Sequence, residues 1–190
     1  MPVVYVIGGA NGSGKTTSAL GILPALGVIE YVNADAIASG LSPLNPESMA
    51  MQAGRLMLER MNVLAESRAD FAFETTLAAR TFAPFLRSCK AEGYVVSLVY
   101  FWLPSVELAV ERVARRVASG GHSIPEAVIR RRYDRGRRNL IELYLPLSDG
   151  WLILDNAERN SRLVARQPIN QPPTIYDQET WNQINGGTYD

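Results

Sequence analysis

The chain has 190 residues, 47% of them hydrophobic, and its 19 basic and 19 acidic side chains cancel to a formal net charge of zero. That length and apolar content suit one domain with one core, and the balanced charge leaves no global field to attract nucleic acid or a membrane. The single cysteine, Cys89, excludes an intramolecular disulfide and a cysteine-based metal site, and no run approaches the ~18 apolar residues of a membrane span. With no basic or strongly apolar leader before the first apolar run, the expectation is a soluble, cytoplasmic protein.

Val3-Val4-Tyr5-Val6-Ile7 is a short apolar, β-branched run, the pattern of a buried parallel strand. It leads into Gly8-Gly9-Ala10-Asn11-Gly12-Ser13-Gly14-Lys15-Thr16-Thr17, which from Gly9 fits G-x-x-x-x-G-K-[ST]. Glycines at 9, 12 and 14 permit backbone dihedrals that a Cβ would forbid. Such a loop turns successive N–H groups inward as a cradle for phosphate oxygens. Residues 9–17 are therefore the expected nucleotide-binding segment. Lys15 adds a point charge for the β- and γ-phosphates, and the Thr16 hydroxyl suits Mg²⁺. A helix over 18–23 should follow, stopped by Pro24.

Val28-Ile29-Glu30-Tyr31-Val32 reads as the second strand and ends at Asn33-Ala34-Asp35. Function collects at the carboxyl ends of parallel strands, which places Asp35 near the loop as a candidate catalytic and acceptor-holding carboxylate. The competing structural role for Asp35 is to cap the turn over 36–39. Asn45-Pro46-Glu47 opens a helix whose apolar face holds Ala53, Leu56, Met57 and Leu64. Asp70-Phe71-Ala72-Phe73-Glu74 is the third strand, with Glu74, Thr75 and Thr76 at its end. A carboxylate directly after Phe-Ala-Phe makes Glu74, with Thr75, a candidate for holding substrate.

A helix over 81–91 precedes the longest apolar run, 94–101, which should be the central strand. No acid ends it, although a metal-holding Walker-B aspartate would be expected there. Nine of the seventeen arginines fall between 112 and 138, in two helices broken at Ser119-Gly120-Gly121-His122-Ser123-Ile124. The segment reads as a hinged lid delivering arginine charge to a transferring phosphoryl group, or as a nucleic-acid surface. His122, the only histidine, either contacts a phosphate or helps start the helix at Pro125. Trp151-Leu152-Ile153-Leu154-Asp155 is the last strand, with Asn156 at its end to meet adenine or a phosphate edge. Residues 167–190, with three acids and no base, read as a loosely structured tail in which Trp181 and Ile184 dock a short helix. The domain proper thus spans 1–166, an α/β fold with a five-stranded parallel sheet and helices on both faces.

In this order the chain resembles the zeta toxin family of P-loop kinases, in particular its small chromosomal branch labelled predicted ABC-type ATPase or kinase. The matching residues are Gly9 to Thr17, Asn33-Ala34-Asp35 with Ile37-Ala38, Phe73-Glu74-Thr75-Thr76-Leu77, Arg112-Val113-Ala114-Arg115-Arg116-Val117, the Gly120-Gly121-His122 break, and Ile129-Arg130-Arg131-Arg132-Tyr133. The resemblance implies a kinase-type sheet, ATP with Mg²⁺, and transfer of the γ-phosphoryl to a hydroxyl of UDP-N-acetylglucosamine, with an antitoxin as protein partner. It implies Asp35 as the catalytic aspartate and Glu74 as a substrate ligand. The lid arginines it implies fall among Arg112, Arg116 and Arg130 to Arg132. Read with the residues themselves, Lys15, Arg116 and Arg131 would balance charge in the transfer, Arg112 and Asn156 would serve the nucleotide, and Thr75, His122 and Arg130 the acceptor, although the longer toxins place basic residues of another kind where His122 stands. The substrate-binding insertions of the longer toxins have little room here. The alternatives are a nucleotide-gated ATPase or binding module, and a nucleic-acid kinase using the arginine-rich segment.

Overall fold

The computed structural model describes residues 1–121 and 123–186. Its strands and helices run β1 (Val3–Gly9), α1 (Lys15–Ala25), β2 (Glu30–Val32), α2 (Ala34–Leu41), α3 (Ala50–Glu66), β3 (Phe71–Thr75), α4 (Phe82–Ala91), β4 (Val95–Trp102), α5 (Val106–Ala118), α6 (Glu126–Asn139), α7 (Leu145–Leu147), β5 (Gly150–Asp155), β6 (Arg162–Gln167), β7 (Thr174–Ile175) and α8 (Gln178–Ile184). A 3₁₀ turn, Pro46–Met49, leads into α3, and a π turn, Leu140–Tyr144, joins α6 to α7.

All seven strands form one sheet in the order β2-β3-β1-β4-β5-β6-β7. The first five are parallel, as the apolar runs predicted. The expected count of five is corrected by β6 and β7, which add antiparallel to the β5 edge. Arg162 and Arg166, both exposed, bracket the buried Val164 and Ala165 of β6 and hid that short apolar stretch from a composition-based reading. The stretch described from 167 to 186 is likewise not loose. Asp177 accepts the Thr180 N–H at 3.0 Å to cap α8, Ile184 is fully buried, and Trp181 stacks on Trp151 with ring centroids 5.7 Å apart. An aromatic pair in that geometry adds to the area it buries.

Strand alternation divides the core into two layers. Val4, Val6, Phe71, Phe73, Val96, Leu98, Trp151 and Ile153 face one side and meet α3, α4, α6 and α8. Ile7, Ala72, Val99 and Phe101 face the other, where Ala19 and Leu23 of α1 cover them. Pro24 does not end α1. The helix ends beyond it, where Gly27 takes φ +74° and returns its N–H to the Pro24 carbonyl, a left-handed C-terminal stop.

The arginine-rich segment is anchored along its second half. Tyr133 donates its hydroxyl to the Leu103 carbonyl at 2.6 Å, and Asn139 donates to the carbonyls of Leu77 and Ala78 at 2.8 and 3.2 Å. The Tyr144 hydroxyl reaches the Ala79 carbonyl. The wider π turn brings residues five apart in sequence toward one side, so Asn139 and Tyr144 strap the same loop. Gly136 lies so close to that loop that a Cβ there would collide with the Thr76 carbonyl oxygen. Because backbone on both sides cannot yield, Gly136→Ala should destabilise the fold by about 1–3 kcal/mol, read as a lower midpoint in urea unfolding with an unchanged slope.

Candidate active site

The loop after β1 is built around its glycines. Gly9 sits at φ +148°, where a Cβ would come within 2.6 Å of the Phe101 carbonyl, and Gly14 at φ +81° faces the Asn156 side chain. The sharp turn starts α1 at Lys15, with its free N–H groups toward the loop's concave side. Lys15 is 5% exposed and donates to the Ala10 carbonyl at 2.8 Å, with Glu74 Oε1 at 3.7 Å. Burial pulls the Lys15 ammonium below its usual range, opposed by the charges of Glu74 and Asp35. The Asn11 amide oxygen and Ser13 hydroxyl are buried in the loop with no hydrogen-bond partner among the described residues.

Glu74 closes the loop from the side. Strand β3 lies directly against β1, with Glu74 in register with Ile7. Its Oε2 accepts hydrogen bonds from Thr16 Oγ1 at 2.7 Å, Asn33 Nδ2 at 3.0 Å and the Tyr31 hydroxyl. Burial, with the Glu74 carboxylate beside it, pushes the Tyr31 phenol far above its usual range, so the hydroxyl stays a donor. The carboxylate that meets Thr16 is thus carried by β3, while β4, the other neighbour of β1, ends without an acid. Both strands flank β1, and the apolar runs alone do not say which flanking strand carries it.

Asn33, not Asp35, caps α2. Its Oδ1 accepts the N–H groups of Asp35 and Ala36 at 2.8 and 3.3 Å. Asp35 occupies the helix's first turn, and its exposed carboxylate makes no hydrogen bond among the described residues. Together with Lys15, Asn33 and Glu74 it lines a cavity of about 640 Å³ bounded by α2, α3, the 75–82 loop and α6. Met51, Met57, Leu58 and Phe82 form its apolar wall; Thr75, Thr76 and Thr81 supply hydroxyls; Arg55, Arg131, Arg132 and Arg135 supply positive charge.

The arginines of 112–138 sort into distinct groups. Arg112 donates to the carbonyls of Asn156 and Ala157 at 2.8 and 2.6 Å, tying α5 to the end of β5. Arg137 holds the Ile184 carbonyl. Arg130 bridges Glu107 and Glu126 at 2.9 and 2.8 Å on the outer side of the α5–α6 pair, and Arg115 pairs with Glu111. Arg116 stands near enough to Lys15 for its charge to oppose the lysine's. Arg131, Arg132 and Arg135 line the cavity with no ion pair among the described residues.

Of the remaining sequence candidates, Asn156 reaches the nucleotide loop through protein contacts. It donates to the Ser13 carbonyl at 2.6 Å and accepts from Ser161 at 2.6 Å. Thr75 lines the cavity, and its hydroxyl oxygen takes the Leu77 N–H at 3.0 Å, fixing a turn in which Leu77 has φ +59°. Thr17 is exposed on α1, and His122 lies outside the described residues. Sequence reading missed Tyr31, Thr81 and Arg55. The signal for Arg55 was a second stripe on α3, Met51, Arg55 and Leu58 at helical spacing, separate from the core face of Ala53, Met57 and Met61.

Residues 4–140 match the AAA domain family. The chain belongs to that family. An uncharacterized protein of Haemophilus influenzae is 31% identical over 125 residues, covering 66% of this chain and 88% of that one. Among solved structures, the AvrRxo1-ORF1:AvrRxo1-ORF2 complex superposes with a TM-score of 0.80 in its sulphate form and 0.78 with ATP, at 17% and 18% identity. All of this chain is covered, but it spans only 65% of the other. The PezAT chromosomal toxin-antitoxin system of Streptococcus pneumoniae gives 0.67 at 16% identity, covering 100% of this chain and 80% of that one. At such identities the likeness shows the fold, a kinase-like α/β P-loop NTPase domain with a mostly parallel sheet. The motif and the family together make it a nucleotide-binding domain.

The capping assignment is open to measurement. Replacing a capping asparagine by alanine costs roughly 0.5–2 kcal/mol, so Asn33→Ala should lower the unfolding free energy by that amount. Asp35→Asn should lose less than Asn33→Ala, about 0.3–1 kcal/mol at most, the dipole contribution of a first-turn acid. Paired denaturant curves for the two variants check the assignment.

Proposed function

We propose that the protein is an ATP-dependent phosphotransferase that moves the γ-phosphoryl group to a hydroxyl of an anionic small molecule. One observation carries this reading: the cavity opening from Lys15 is lined by an exposed carboxylate, Asp35, without a hydrogen bond among the described residues, and by four arginines without an acidic partner among them. An ATPase needs a place for water. A cavity of about 640 Å³ with an apolar wall and four guanidinium groups has the size of a small-molecule site.

In this mechanism the loop N–H groups and Lys15 hold the phosphates, Lys15 exchanging its Ala10 carbonyl for phosphate oxygens. The acceptor lies in the cavity with its own anionic group on Arg55, Arg132 and Arg135. Its hydroxyl points at Asp35, which takes the proton as the acceptor oxygen attacks the γ-phosphorus. The bond from that phosphorus to the β–γ bridging oxygen breaks, and ADP leaves with the electron pair. Arg116 and Arg131 balance charge on the equatorial oxygens, the term that dominates phosphoryl transfer.

The residues present fit Mg²⁺. Thr16 Oγ1 and Glu74 Oε2 stand 2.7 Å apart at the loop's edge, an all-oxygen pair suited to a hard cation that takes its other ligands from phosphate and water. Bound there, Mg²⁺ would neutralise phosphate charge. Glu74 thereby serves the cation in place of the acceptor role read for it from sequence.

The resemblance to zeta toxins adds a finer reading. UDP-N-acetylglucosamine or a related nucleotide sugar matches the arginine array through its diphosphate, and a toxin role would bring an antitoxin partner. ATP-dependent chemistry of this kind belongs in the cytoplasm. Arg112, Arg115, Arg130 and Arg137 are engaged in carbonyl contacts and ion pairs, which leaves fewer of the nine arginines for the phosphates of a nucleic acid and speaks against such an acceptor.

Lys15→Ala should abolish tight ATP binding in calorimetry; an unchanged affinity would remove the basis of the reading. Asp35→Asn should keep the fold and ATP binding while lowering phosphoryl transfer by about 10²–10⁴-fold, the usual contribution of a general base. The assay supplies labelled ATP and a metabolite extract and follows the species that gains phosphate. Full transfer by Asp35→Asn would reject Asp35 as the base.

A further inference from the structure

We propose that Tyr31 is a positioning residue for Glu74, and that its hydroxyl sets how strongly Mg²⁺ tightens nucleotide binding. This rests on the reading above, in which Glu74 and Thr16 are the cation-facing oxygens. Tyr31 lies on β2, the strand outside β3, and its register partner is Ala72. Glu74 is two residues further along β3, the diagonal distance that an aromatic side chain spans between neighbouring strands. The phenol hydroxyl ends at Glu74 Oε2.

Three donors converge on that one oxygen: Thr16, Asn33 and Tyr31. Of the four attachments of the carboxylate, two, Lys15 near Oε1 and Thr16 on Oε2, come from the nucleotide loop itself. Those two would change with nucleotide bound, since the lysine would serve the phosphates and the threonine oxygen the cation. The donors that do not depend on the state of the loop are Tyr31 and Asn33. Both belong to the β2 end, Tyr31 through a stiff ring and Asn33 through a side chain whose oxygen is already committed to capping α2. Glutamate has three side-chain torsions to fix. In the loaded state the β2 donors hold it, so removing one should matter little to the nucleotide alone and much to the nucleotide with metal.

The test uses the full chain, a non-hydrolysable ATP analogue and calorimetry, first in EDTA and then across a Mg²⁺ titration. Tyr31→Phe keeps the ring and removes only the donor. Its affinity in EDTA should stay within about twofold of the native protein, which also reports an intact fold. Its Mg²⁺ midpoint should rise about ten- to a hundredfold, the cost typical of losing a partner that orients a metal ligand. Asn33→Ser, which retains a capping side chain, should shift the midpoint in the same direction.

Glu74→Gln separates this proposal from the reading beneath it. If Glu74→Gln raises the midpoint and Tyr31→Phe does not, the Tyr31 proposal is overturned while the cation-facing role of Glu74 stands. If Glu74→Gln leaves the midpoint native, that role falls and the proposal with it. A Tyr31→Phe/Glu74→Gln double variant should match Glu74→Gln alone. A further additive shift would mean that Tyr31 does not act through Glu74, and would also overturn the proposal.

Discussion

The carboxylate of Glu74 is the point on which the site depends. Through it the end of β3 is tied to Lys15 and Thr16 of the nucleotide loop, and to Tyr31 and Asn33 at the end of β2. A half-buried acid without partners would be costly. Here four donors surround it, and the strand order β2-β3-β1 brings them together. The same contacts set the distance between the loop that holds phosphates and the helix that carries Asp35.

Around that junction the side chains divide by what they are bonded to. The capping of α2 by Asn33 leaves Asp35 free of a structural task at the mouth of the cavity. On α5 and α6, arginines of near-identical sequence context separate into carbonyl clamps, helix-surface ion pairs and cavity-facing groups. Exposed ion pairs such as those of Arg130 contribute little stability; their consequence here is to turn Arg130 outward while Arg131 and Arg132 meet the cavity. The cavity wall opposite comes from α3, where Met51 and Leu58 remain exposed beside Arg55. Exposed apolar side chains next to a cation suit a ligand with both an apolar and an anionic part.

Helix α6 bears on two functions through one set of contacts. Gly136, Asn139 and the π turn hold the 76–79 loop, while the preceding turns present arginines to the same cavity. Tyr133, in the middle of α6, is fixed to the residue that follows β4. Strands β6 and β7 extend the sheet beyond β5 and pair the edge that five parallel strands would have left open, while α8 packs on the sheet through the Trp151–Trp181 stack.

Local features were legible in the sequence because their causes are local. The glycine spacing of 9–14, the apolar strand runs and the helix starts at Ser105 and Pro125 all follow from backbone sterics and short-range hydrogen bonds. They carried the parallel α/β class, the phosphate loop and the placement of Asp35 and Glu74 at strand ends. Strand order was not legible, since apolar runs state only that a strand is buried and not which strand lies beside it. Glu74 and its partners Tyr31 and Asn33 therefore came together only through the pairing of β2 with β3. The choice among nine arginines between 112 and 138 was also decided in three dimensions. Composition gives each the same charge, whereas the fold gives one a backbone carbonyl, another an acid, and a third an open cavity.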